Sequence, residues 1–128
     1  MTKVLKFELS KRLNDLWLLD NIKSNYLYYQ HNETWNYEIV DRYEIIWDRT
    51  YICKTLTLEE AIEFLPCSIK WFVLHIKKNY PCRAWEYFIY YEDINGQLLW
   101  YKFLGEKTPI EAIEKMLDYL LDNNLLTK

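Results

Sequence analysis

The sequence predicts an α+β fold, an antiparallel sheet of four to six strands with about three helices, within one domain spanning residues 1–128. Three observations carry that expectation. Thr57-Leu58-Glu59-Glu60 and Thr108-Pro109-Ile110-Glu111 each have the capping-box pattern, in which a Thr hydroxyl accepts from the backbone NH three residues on and a Glu carboxylate reaches back. Residues 69–78 alternate as a strand does. Asn95-Gly96 stands between two apolar runs, the strongest short-range signal of a hairpin.

Taken in order, Ser10 is a good N-cap for a first helix over about 10–20, with Leu13, Leu16 and Trp17 at helical spacing. Tyr26 to Gln30 is Tyr-rich and reads as extended. Residues 31–48 are the least legible stretch, although Trp35, Tyr37 and Ile39 alternate. Thr50 to Lys54 reads as a short strand. After the first capping box, Leu58, Ala61, Ile62 and Leu65 form an apolar stripe that Pro66 ends. Over 69–78, Phe72, Leu74 and Ile76 share one face, and Trp71, Val73 and His75 the other.

A two-residue type I′ turn at Asn95-Gly96 places Phe88 opposite Phe103, Tyr90 opposite Tyr101, and Glu92 opposite Leu99. Tyr91 then faces Trp100. Gly105 ends the strand, and Pro109 in first position opens the last helix, with Ile113, Leu117, Leu120 and Leu121 as its buried face. Asn123-Asn124 is its stop. Thr57, Glu60, Ala61, Ile62 and Glu63 recur 51 residues later as Thr108, Glu111, Ala112, Ile113 and Glu114. Trp35, Tyr37 and Ile39 recur 50 residues later as Trp85, Tyr87 and Ile89. These matches suggest a strand–strand–helix unit used twice; independent capping boxes in an aromatic-rich chain would also produce them.

Apolar residues make up 51 % of the chain, enough for a core without metal or disulfides. Twelve Tyr, six Trp and five Phe exceed what such a core comfortably buries, so some rings are expected at the surface or in an interface. The net charge of -3 disfavours a general nucleic-acid backbone binder, while leaving room for a local basic patch. Cys53, Cys67 and Cys82 read as free, buried thiols in a reducing compartment. No signal peptide is visible, and apolar runs fall far short of the roughly 20 residues that span a bilayer. A soluble cytoplasmic protein without membrane contact is expected. Only two glycines, with abundant Lys, Ile, Asn and Tyr, is the usage of an AT-rich coding sequence.

Chemistry-bearing patterns are sparse. Cys67 and Cys82 lie 15 apart with His75 between them, and no ligand pair at short spacing exists for zinc. No nucleophile elbow accompanies the two histidines. Glu59, Glu60 and Glu63, and Glu111 and Glu114, sit in or near first helical turns, where they serve capping and the helix dipole better than acid–base catalysis. No glycine-rich loop is present to cradle phosphates. No catalytic residue, metal, cofactor or small-molecule substrate is therefore expected, and the chain reads as a non-enzyme.

The aromatic sheet stands out. If helices cover the Phe88/Tyr90/Tyr101/Phe103 face, the other face still carries Trp85, Tyr87, Ile89, Tyr91 and Trp100. A second layer could cover it, a homo-oligomer or protein partner could bury it, or bases could stack on it beside Lys70, Lys77, Lys78, Arg83 and Lys102. The candidate interaction surface is Trp71, Trp85, Tyr87, Tyr91 and Trp100.

Leu9-Ser10-Lys11-Arg12-Leu13, the stretch from Thr55 to Pro66, and Glu111 to Leu120 together resemble a class of small uncharacterised phage- and prophage-encoded proteins. These pair an early Leu-Ser-Lys-Arg-Leu helix with a Leu-Pro-terminated helix and a final Glu-Ala helix. Members often have Gly where Trp17 stands here. The junction from Gly105 to Ala112 is also similar to that of HicB-like antitoxins, without the Pro-Gly-Cys segment that usually precedes it there. The resemblance implies a setting, a phage or mobile element, and the surplus of Trp and Tyr without a catalytic constellation points to a non-enzymatic accessory protein there. Contacts with a protein partner or a second copy, made through the aromatic sheet face, would be its means of action. The alternative is an antitoxin-like or RNA-binding module.

Overall fold

Three helices and two three-stranded antiparallel sheets make up the computed structural model, which describes residues 3–44, 47–79, 86–99 and 108–126. The α+β expectation holds. Chain contacts divide the molecule into two units, one ending at Ala61 and one beginning at Ile62.

In the first unit, β1 (Tyr26–His31) lies between β2 (Tyr37–Asp41) and β3 (Arg49–Thr55). The Tyr37/Ile39 alternation thus marks a strand within the stretch that was hardest to read. The β1–β3 register shifts between Tyr28 and Tyr29, leaving Ile52 as the extra residue of a bulge. Helix α1 (Phe7–Asp15) packs on β3. Phe7 stacks on Tyr37 at 3.9 Å between centroids and meets Tyr28 edge-on at 5.3 Å. The Asn14 amide bonds both backbone groups of Lys54, so it occupies the edge of β3 as a neighbouring strand would.

Ser10 is not the cap of α1. The helix starts earlier, after Lys6, and Ser10 lies inside it, fully buried. Its hydroxyl bonds the Lys6 carbonyl at 3.0 Å and the Thr55 hydroxyl at 2.8 Å. Back-bonding of this kind makes a mid-helix Ser tolerable, and the sequence signal for it is the same as for a cap. The Leu5 carbonyl is the meeting point of three hydroxyls, from Tyr28 at 2.7 Å, Thr55 at 3.3 Å and Ser10 at 3.4 Å. The Leu5 amide continues the chain's pairing by donating to Leu56 O.

Helix α1 also ends earlier than the apolar spacing suggests. Trp17 adopts φ +61°, with Trp17 N–H donating to Asn14 O and Leu18 N–H to Leu13 O. That is a Schellman stop, whose left-handed position favours glycine. A Trp stands there instead.

Helix α2 (Leu58–Phe64) forms as its capping box predicts. Thr57 N–H donates to Glu60 Oε1 at 2.9 Å, and Glu60 N–H donates to Thr57 Oγ1 at 3.3 Å. In the second unit, β5 (Phe72–Asn79) lies between β4 (Ser68–Ile69) and β6 (Glu86–Glu92). The 69–78 run is therefore two strands broken by a two-residue turn at Lys70-Trp71, with Lys70 at φ +55°. Helix α3 (Pro109–Asp122) packs on β6. Its Thr108 cap, first-position Pro and buried Ile113, Leu117, Leu120 and Leu121 are all as expected.

The hairpin at Asn95-Gly96 differs from its prediction by one residue. Gly96 N–H donates to Asp93 O, Asp93 N–H donates to Gln97 O, and Gly96 alone takes positive φ, at +82°. This is a three-residue loop, a type I turn followed by a left-handed glycine, rather than a type I′ turn. The Asp93 carboxylate holds it by accepting from the amides of Asn95 and Gln97. Glu92 pairs with Leu98, not Leu99. The pairings expected for Tyr101 and Phe103 lie outside the described residues. The suggested duplication is not reflected in the first unit's pairing, since β2 and β3 flank β1 and do not pair with each other; the second strand of its other copy lies outside the described residues.

The buried hydroxyl cluster makes a stability prediction. Ser10→Ala or Thr55→Val alone removes the 2.8 Å bond between two fully buried hydroxyls, at a cost of about 1 kcal/mol. The double variant should cost clearly less than the sum of the two. Urea denaturation of the four proteins in the cycle measures the coupling, and additive losses would show that the two hydroxyls act independently.

Candidate interaction surface

The residues expected to form an exposed aromatic face do not behave as a set. Trp85 and Trp100 lie outside the described residues. Tyr87 is half-buried, whereas Tyr91 is buried, at 1 % exposure, and donates to the Pro66 carbonyl at 2.7 Å. Burial, with a smaller contribution from Cys67, pushes the Tyr91 phenol well above its usual range. The side of β6 bearing Ile89 and Tyr91 is thus the buried one, and Tyr91 belongs to the core of its unit. Alternation along β6 places Ile89 and Tyr91 together, but no local pattern shows which of its two faces the rest of the unit covers. Tyr119 OH donates to Leu99 O, tying α3 to the strand that leaves the turn.

The other face of β5–β6 carries exposed Val73, His75 and Lys77 beside half-buried Phe88 and Tyr90. There His75 stacks on Tyr90 at 5.2 Å, Lys77 lies opposite Phe88, and Val73 is exposed. Trp71 is exposed, as expected, in the turn before β5.

A larger display of rings sits on the first unit, which the sequence reading did not single out. Trp35 is 69 % exposed and Trp47 77 %; Tyr37 and Tyr51 are also exposed. Trp35 ends the β1–β2 loop, closed by His31 N–H to Asn36 O and Trp35 N–H to His31 O. That loop is pinned to the chain entering β3, since Asn32 N–H donates to Asp48 O and Thr50 Oγ1 to Asn32 Oδ1. Trp35 and Trp47 are therefore carried by two segments joined at one end of the sheet. The Arg49–Glu38 ion pair, at 2.6 Å, braces the same sheet.

Backbone geometry at two of these tryptophans is unfavourable. Trp35 takes φ +62°, and Trp17, itself 65 % exposed, takes φ +61°. For a bulky residue the left-handed region costs roughly 1–2 kcal/mol. Neither ring recovers that cost by burial. A Trp gives no local signal of positive φ, so the sequence pattern marked neither position.

The titratable groups are dispersed. Among the described residues, no group of three or more His, Cys, Asp or Glu side chains could hold a metal ion. His31 turns its Nδ1 inward to accept from the amides of Glu33 and Thr34. Cys53 is a free, buried thiol, and Cys67 is free but exposed, contrary to the expectation of burial; Cys82 lies outside the described residues. Burial is the main cause that pushes the Cys53 thiol up to about 11, with Lys11 opposing and Asp15 reinforcing it. No helix among the described residues is long and apolar enough to cross a membrane.

Comparison of the chain with protein-family models, curated proteins and solved structures gives no match.

The two thiols should differ sharply in reactivity. Brief alkylation at pH 8 followed by peptide mapping should label Cys67 and spare Cys53 until denaturant is added, because the thiolate is the nucleophile and Cys53 holds its proton. Equal labelling of both in the native protein would contradict the burial of Cys53.

Proposed function

We propose that this chain is a non-enzymatic protein-binding module, and that the exposed rings of the first unit, Trp35 and Trp47 foremost, are its contact surface. The observation that supports this most strongly is Trp35 itself, a large apolar ring held in solvent on a backbone conformation that Asn or Gly would adopt at lower cost. Local strain of this kind concentrates where function requires the side chain. Trp and Tyr are the residues that most often dominate protein interfaces, because they bring large area at low entropic cost. The resemblance to small phage-encoded proteins supplies a setting, an accessory role in a phage or mobile element.

A second reading, an RNA-binding module, is favoured by the β5–β6 face that bears His75 and Lys77. The His75–Tyr90 stack and Lys77 there combine ring faces with positive charge, the ingredients of a single-strand platform.

Trp35→Asn combined with Trp47→Ser should leave stability unchanged or raise it by up to about 1 kcal/mol, since no buried contact is lost and one strained position is relieved. The same variant should fail to retain proteins that the parent chain enriches from a lysate of its source cells, as read by quantitative mass spectrometry. Equal enrichment by parent and variant would overturn the assignment of the surface. Enrichment that nuclease treatment abolishes would favour the RNA reading.

A further inference from the structure

Strand β2 ends the first sheet, with β1 on one side of it. The β1–β2 ladder bonds Arg42 N–H to Asn25 O at one end and His31 N–H to Asn36 O at the other. Hydrogen-bonded pairs alternate along an antiparallel ladder, so in the observed register Glu38 and Val40 are the residues of β2 that bond to β1. The backbone groups of Tyr37, Ile39 and Asp41 therefore point away from it. No described strand pairs with this outer edge, and all three residues are exposed. Asp41 O accepts from the Glu44 amide at 3.0 Å, and the remaining outward groups have no partner among the described residues.

Proteins usually block such an edge, because its unpaired amides and carbonyls invite another strand. The outer edge of β3 is blocked: the Asn14 side chain bonds both backbone groups of Lys54, and Leu5 N–H donates to Leu56 O just beyond. In the second unit, β5 runs past the two-residue β4 and carries Lys77-Lys78 there, a residue type that discourages pairing. The β2 sequence, Tyr37-Glu38-Ile39-Val40-Asp41, has no Lys, no Pro and no bulge in its register with β1. It presents an exposed Tyr and an exposed Ile instead.

We infer that β2 is a dimerisation edge, on which β2 of a second copy pairs antiparallel about a two-fold axis through Ile39. The strand's own sequence selects this occupant. Centred on Ile39, the pairing sets outward residues only against outward residues: Ile39 against Ile39, and Tyr37 against Asp41 in both directions. Every free backbone group on the edge then finds a partner, with the second lone pair of Asp41 O accepting from Tyr37 N–H. The charges fit as well. Glu38 lies opposite Val40 of the second copy, Asp41 lies opposite Tyr37, and the Glu38 carboxylate is already paired with Arg49. An axis centred on Glu38 would set two carboxylates against each other, and one centred on Val40 would leave Tyr37 beyond the end of the facing strand. The two three-stranded sheets become one continuous sheet. Trp35 and Trp47 stay outside the paired strand, and the inference does not rest on the role proposed for them.

A short edge makes a small interface, so a reversible dimer with a dissociation constant on the order of 100 µM is expected. Sedimentation velocity of the whole chain across that concentration reads the mass. Amide hydrogen exchange followed by NMR below and above it reads the edge. Exchange at Tyr37, Ile39 and Asp41 should slow several-fold on dimerisation, while Glu38 and Val40, whose amides already bond to β1, change little. Ile39→Lys should remain monomeric throughout; if that variant unfolds, the exchange pattern of the parent chain still decides. A parent chain that stays monomeric to about ten times the expected constant would overturn the inference. So would a dimer whose exchange slows without the alternation, or an alternation that appears only when another protein is added, which would assign the edge to a foreign strand. None of these results alters the enrichment through Trp35 and Trp47, which is measured separately.

Discussion

The first unit depends on one carbonyl. Leu5 O accepts from Tyr28 of the central strand β1 and lies within hydrogen-bond reach of the linked hydroxyls of Ser10 of α1 and Thr55 at the end of β3. Away from water such an acceptor must be satisfied, and each hydroxyl must likewise find its own partner. The three groups therefore specify one position of the helix on the sheet, where apolar packing alone would accept several. Phe7 on Tyr37 and Asn14 on the backbone of Lys54 extend the same contact toward the two ends of the helix.

That fixed helix determines what remains outside. Once α1 occupies the side bearing Tyr28, Cys53 and Thr55, the loop after it is drawn to Lys54, whose ammonium group donates to the carbonyls of Leu19 and Ile22. At the opposite end of β1, the hydrogen-bonded junction of the Asn32 loop with Asp48 carries Trp35 and Trp47 into solvent. An aromatic-rich chain has more rings than its core can hold, and among the described residues of the first unit the most exposed rings, Trp35, Tyr43 and Trp47, lie on loops. A contact surface on loops braced by a sheet is a common arrangement, since loop residues vary at little cost to the scaffold.

Legibility in the sequence followed the locality of the signal. The Thr57–Glu60 box, the Thr108-Pro109 start and the Tyr37/Ile39 alternation depend on neighbours within a few residues, and all three appear as read. The errors arose where one local pattern serves two structures. A Ser before an apolar run can cap a helix or sit inside it against a distant Thr, and Thr55 lies 45 residues from Ser10. Asn-Gly fits a type I′ turn, and it also fits a type I turn with the glycine one place later; the Asp93 carboxylate selects the second. The Lys70-Trp71 turn was invisible because neither residue type signals positive φ. The open edge of β2 was equally hidden, because which strand ends a sheet is decided only by the fold.

The central claim is that Trp35 and Trp47 stand in solvent at the end of the first sheet. Fluorine NMR of the chain labelled with 5-fluorotryptophan, with each resonance assigned by single substitution, measures this directly through the solvent isotope shift. Large H₂O/D₂O shifts are expected for the Trp35 and Trp47 resonances in the isolated protein. Small shifts at both, of the size found for a ring inside a core, would contradict it.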